Sequence, residues 1–223
     1  MAFLPLDARE RRCDAHRMNA EILLFDGFDE LDALGPWEVL SGLSAVRDDV
    51  TVRFVTLEGA REVRADHGAV IRSHAAPSER PDVLLVPGGG WFDRTPDGAW
   101  AQSQRGDIPA AIAARHAAGT TVASVCTGAL LLAAAGILDG RRATTNPGAL
   151  DDLRARGTID VIAARVVDDG DILTAGAPAC GLDLALHLVE RIGGPELAEA
   201  AARELQYERS SDRPGLEPVR QGA

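Results

Sequence analysis

The sequence predicts an α/β fold: a mostly parallel sheet sandwiched between helices, with one small β-hairpin beside it. Three observations predict this. Short apolar runs recur along the chain, above all residues 82–86 and 122–125, and unbroken apolar strands of this kind are buried on both faces. Segments with helical spacing lie between them, as crossovers between parallel strands require. Finally, 223 residues at 46% hydrophobic content suffice for one sizeable core, which favours a single domain.

The elements follow in order. Residues 1–18 are polar and irregular and read as a disordered leader; the domain runs over 19–208, and a breaker-rich flexible tail over 209–223. The first strand spans 21–25. The next segment, 30–43, is helical, with Pro36 near its start and Leu31, Leu34, Val39 and Leu43 on or near one side. A strand at 51–57 precedes a hairpin of 62–64 and 69–72 that turns through Asp66, His67 and Gly68. The strand at 82–86 runs into Pro87-Gly88-Gly89-Gly90. A helix over 108–118 leads to the strand 122–125, which bends at Cys126 into the Ala/Leu-rich helix after Gly128. Past Asn146-Pro147 lie a helix near 148–156, a hairpin of 164–168 and 171–174 through Asp169-Gly170, and closing helices at 182–192 and 196–205.

Composition removes whole classes of chemistry. Every one of the 23 basic residues is arginine, so Schiff-base, Walker-A and Ser-Lys mechanisms are excluded. No HExxH or CxxC spacing supports a metal site, and no GxGxxG or P-loop supports a nucleotide cofactor; neither metal nor cofactor is expected. A net charge of -11 argues against nucleic-acid or membrane partners. Three scattered cysteines, Cys13, Cys126 and Cys180, form no disulfide framework and point to a reducing cytoplasm. No segment reads as a signal peptide or a membrane span. What remains is chemistry run by a thiol and carboxylates on a small-molecule substrate.

The thiol is Cys126. A side chain on a sharp strand-to-helix turn stands at the rim of the sheet beside free helix N-terminal amides, which are expected to lower the thiol's pKa and make it a nucleophile. In such sheets ligands bind beyond the carboxyl ends of the strands. Gly88 to Gly90 end one strand there, and Asp26, Asp29, Glu30 and Asp32 follow another. Glycine amides form an anion hole where the backbone approaches closely. Asp29 and Glu30 suit a helix N-terminus. Asp32 differs, lying within a segment that reads as buried, where a carboxyl carries a raised pKa and donates a proton. No histidine adjoins Cys126 in sequence.

Asp32 within Leu31-Asp-Ala-Leu-Gly-Pro-Trp-Glu-Val-Leu40, Val86-Pro-Gly-Gly89, Ser124-Val-Cys-Thr-Gly128, Leu138-Asp-Gly-Arg-Arg-Ala-Thr-Thr145 and Ala179-Cys-Gly-Leu-Asp-Leu-Ala-Leu186 occur in this order. Together they resemble the ThiJ/PfpI superfamily, of class I glutamine-amidotransferase-like (flavodoxin-like) fold, in its isonitrile hydratase branch. The resemblance implies a homodimer with the nucleophile at Cys126 and a catalytic aspartate at Asp32. It also implies an oxyanion hole from Gly88, Gly89 and Thr127, which follows the cysteine where protease-like members have histidine. The implied reaction is cofactor-independent hydration of an isonitrile to an N-substituted formamide. Two departures stand out. Asn146 occupies a position where many relatives have histidine, and Cys180 one where close relatives usually have alanine; both are expected near the pocket. Similar domains also form the amino-terminal half of AraC-type regulators, so a sensory or redox-stress role is the alternative.

Overall fold

The computed structural model describes residues 18–210; the expected leader, save Met18, and the tail from residue 211 lie outside the described residues. Along the chain run β1 (Met18–Leu23), α1 (Glu30–Ser44), β2 (Val50–Val55), β3 (Glu62–Arg64), β4 (Val70–Arg72), β5 (Val83–Val86), α2 (Ala99–Arg105), α3 (Asp107–Ala117), β6 (Thr121–Val125), α4 (Gly128–Ala134), β7 (Arg142–Ala143), a 3-10 turn (Pro147–Ala149), α5 (Leu150–Arg154), β8 (Asp160–Val161), β9 (Val166–Asp168), β10 (Ile172–Ala175), α6 (Cys180–Gly193) and α7 (Pro195–Glu204).

The main sheet has the order β2-β1-β5-β6-β10-β9. Its first five strands are parallel, and β9 closes the edge antiparallel to β10. Counting only those parallel strands, the order is 2-1-3-4-5, the flavodoxin-like arrangement, whose switch point lies between β1 and β5. The central strands explain themselves: all four residues of β5 and of β10 are buried, as strands covered on both faces must be. Helices α1, α6 and α7 pack together, while α2, α3 and α4 form a second group against β5 and β6. The expected α/β sandwich is the fold observed. The hairpin is there too, β3 pairing antiparallel with β4.

Some elements differ from expectation. Strand β1 starts at Met18, which pairs with Val50, rather than at Glu21. Glu21 itself is fully buried, its carboxylate held by Arg53 at 2.6 Å and by the Ser78 hydroxyl at 2.7 Å. Helix α2 has no counterpart in the sequence reading, because it is short and enclosed by turn residues. It is pinned where Ala99 N–H donates to Gly89 O at 2.7 Å. Only half of the side expected of α1 is buried, Val39 and Leu43 but not Leu31 and Leu34. Asp32, Pro36, Val39, Leu40 and Leu43 are buried with helical period, whereas Leu31 and Leu34 stay 44% and 39% exposed. Apolar character misled there: the residue that opens the buried stripe is an aspartate.

Candidate active site

The site lies at the carboxyl ends of β1, β5 and β6. Its centre is Cys126, the residue after β6, whose φ of 55° is left-handed. For a residue with a Cβ this backbone costs roughly 1–2 kcal/mol. Both sides of the bend are tied down: Cys126 N–H donates to Ala175 O at 3.0 Å, and Thr145 Oγ1 donates to Cys126 O at 2.9 Å. The elbow also needs glycine behind it. A Cβ on Gly128 would lie 2.3 Å from Val86 O, and one on Gly88 would lie 2.3 Å from Thr127 Oγ1, so strand exit and elbow touch backbone to backbone.

Asp32 enters from the first turn of α1 and is fully buried. Its Oδ2 accepts the Gly88 N–H at 2.8 Å, while Oδ1 is buried without a hydrogen-bond partner among the described residues. Burial first, then the negative charge of Asp29, hold its carboxyl well above the usual carboxylate range; the Gly88 amide and the neighbouring Cys126 thiol pull it down by less. Asp32 is thereby biased toward its protonated form, and Oδ1 is the oxygen free to carry the proton.

The thiol is also shifted upward. Burial first, then the Asp32 carboxylate, push it to about 12, against the pull of the Asn146 side chain and the Thr127 backbone. The expected lowering by helix amides is therefore reversed. Cys126 is only 6% exposed, and removal from water outweighs the hydrogen bonds it gains. Burial thus disfavours charge on both members of the pair.

Two of the three amides expected to form the oxyanion hole are engaged within the protein. The Gly88 N–H is committed to Asp32 at 2.8 Å, and the Gly89 N–H to Thr127 Oγ1 at 3.1 Å. Thr127 thus braces the glycine loop with its hydroxyl and turns its backbone toward the sulfur. Asn146 does reach the centre: its Nδ2 donates to Cys126 Sγ at 3.2 Å. Cys180 is a buried free thiol at the start of α6, and its Sγ would lie 3.8 Å from a Cβ on Gly176. Among the described residues it makes no contact with Cys126 that would join the two thiols.

The four described histidines are engaged elsewhere: His67 with Glu30, His74 with Phe54, His116 with Asp171 and His187 with Asp168. A cysteine–histidine dyad is absent among the described residues, and these residues gather no group of three or more metal-ligating side chains. No described helix is long and apolar enough to cross a membrane. Sequence reasoning missed Thr145, whose hydroxyl clamps the elbow. Its signal is faint, a Thr-Thr pair leading into an Asn-Pro turn.

Relatives carry the same arrangement of elements. The isonitrile hydratase of Pseudomonas putida is 35% identical over 187 residues, which are 83% of this chain and 76% of that protein. The Parkinson disease protein 7 homolog of Danio rerio is 28% identical over 184 residues, 80% of this chain and 92% of the other. A solved structure of a THiJ/PfpI family protein from Pseudomonas syringae matches with a TM-score of 0.77 at 26% identity, covering 99% of this chain and 86% of that one. The model of the DJ-1/PfpI family matches residues 18–191, from the first strand through nearly all of α6. That span holds the elbow, the glycine loop and the buried aspartate alike, and the chain belongs to the DJ-1/PfpI family.

Proposed function

We propose that the protein is a thiol-dependent hydratase of small isonitriles, with Cys126 as nucleophile and Asp32 as acid and base. The observation that carries this reading is the buried thiol–carboxyl pair: an acid with an unpartnered oxygen beside a sulfur held on a left-handed elbow. The Pseudomonas putida relative supports the substrate class.

The reaction suits such a pair. Sulfur bonds to the terminal isonitrile carbon, and Asp32 gives that carbon a proton while receiving the one the thiol loses. The result is a thioimidate, R–N=CH–S, reached without a lone buried charge, which the dry site would disfavour. Water then adds its oxygen to the carbon, and one of its protons passes through Asp32 to the nitrogen. The C–S bond breaks, sulfur recovers a proton from the hydroxyl, and the N-substituted formamide leaves. Thr127 and the glycine loop hold the geometry.

The test is formamide production from alkyl and aryl isonitriles, followed by mass spectrometry. Turnover that disappears in both Cys126→Ala and Asp32→Asn supports the proposal. Absence of turnover with the wild-type protein across the panel, or full turnover in Cys126→Ala, overturns it.

A further inference from the structure

We propose that Asn146 is a donor at the reacting centre, its side-chain amide aiming and polarising the Cys126 sulfur and supplying a donor where the sequence suggested an anion hole of glycine amides. The inference deepens the nucleophile assignment and rests on it.

Three geometric facts carry it. First, the glycine amides are already taken, Gly88 by Asp32 and Gly89 by Thr127. Second, Asn146 Nδ2 stands 3.2 Å from Sγ, within ordinary reach of an N–H donor to sulfur. Third, the amide cannot turn round without loss. Its Oδ1 accepts the Gly148 N–H at 2.9 Å, which caps the 3-10 turn of Pro147–Ala149 and leaves the NH2 end facing the sulfur. Thr145, one residue earlier, bonds the carbonyl of Cys126. One short segment therefore fixes both the elbow backbone and the donor to its side chain.

The chemistry follows from the donor being an amide. A sulfur that accepts from Asn146 points its own proton elsewhere, and the buried Asp32 carboxyl, whose Oδ1 is unpartnered, is the acid that acts on the same thiol. The donor thus sorts the directions around sulfur: amide on one side, acid on the other. As negative charge grows on sulfur, or on the atom it attacks, the bond from Asn146 strengthens. The second N–H of the same nitrogen has no partner among the described residues and is available to that atom. Unlike an imidazole, an amide neither takes nor gives a proton near neutral pH, so all proton traffic is left to Asp32.

The experiment measures alkylation of Cys126 by iodoacetamide against pH, by peptide mass spectrometry of the full chain, with Cys180 as internal reference. Asn146→Asp is the decisive variant. It keeps the shape and the cap to Gly148, since aspartate caps as well as asparagine, but replaces a donor to sulfur with an anion. Asn146→Ala removes the donor without adding charge. The other ionisable groups acting on this sulfur, Asp32 and Asp29, remain in both variants. Asn146→Ala is expected to alkylate about tenfold more slowly at a fixed pH, the size of one hydrogen bond to a developing charge. Asn146→Asp is expected to be slower still, with its pH profile displaced upward. Profiles of both variants that superimpose on the wild type overturn the proposal. Because alkylation reads the thiol itself, a protein that ignores isonitriles but slows in Asn146→Asp refutes the substrate and keeps the donor.

Discussion

Replacing Gly88 by alanine tests whether the close approach of the β5 exit to the elbow sets the site. The added Cβ would lie 2.3 Å from Thr127 Oγ1, 2.6 Å from Thr127 N and 2.8 Å from Gly128 N. Ordinary contact begins near 3.4 Å, so the two loops separate by about 1 Å. Two of the three crowded atoms are backbone, which cannot swing aside. Forced overpacking of this kind costs about 1–3 kcal/mol. Loosening the bond from Gly88 N–H to Asp32 adds about 1 kcal/mol. The sum, about 2–4 kcal/mol, lowers the melting temperature of a chain this size by about 4–16 °C. Turnover suffers more, since a shift near 1 Å at reacting groups costs about a hundredfold. Differential scanning calorimetry and steady-state formamide production read the two effects. Adding Thr127→Ala removes the nearest atom but leaves the backbone nitrogen, so the double variant recovers only part of the loss. If Gly88→Ala melts and turns over like the wild type, the contact argument is wrong. Full recovery in the double variant would place the whole effect on the Thr127 hydroxyl and refute the backbone part.

Cys126→Ala is expected to abolish turnover while costing about 1 kcal/mol in urea denaturation, because only a single sulfur atom leaves the buried site. Asp32→Asn should reduce turnover by about 10²–10⁴-fold, the usual share of a general acid. The same variant reads linkage. The folded pKa of Asp32 is raised, so its favourable contribution is whole below the unfolded value, about 3.9, and is lost as pH rises toward the folded one. The stability of wild type relative to Asp32→Asn should therefore fall with pH over that window, and a flat difference would show the carboxyl to be ionised in the fold. In solution the protein should have twice the 23.5 kDa chain mass. The exposed Leu31 and Leu34 on α1 offer an apolar contact. Light scattering that gives one chain mass for the wild type, or an unchanged mass for Leu34→Glu, counts against that surface.

The sequence by itself determined the layer order. Apolar runs such as Val83–Val86 are buried wherever they lie in the sheet, because the cost of leaving them in water does not depend on their neighbours. The strand–cysteine–threonine–glycine turn was legible for the same local reason: only an elbow reconciles a buried strand, a close-packed glycine and a short apolar helix. Asp32 stood out as a carboxyl among apolar residues. Tertiary structure alone decided the electrostatics. Burial of Cys126 raises the thiol that local helix amides were expected to lower, since desolvation is set by everything packed around a group rather than by its chain neighbours. The glycine amides turned out to be taken by Asp32 and Thr127, 56 and 38 residues away in sequence, and Asn146 supplies a donor from 20 residues beyond the cysteine. Such partners are chosen by where the loops at the sheet's carboxyl edge converge, and no periodicity or spacing along the chain encodes that meeting.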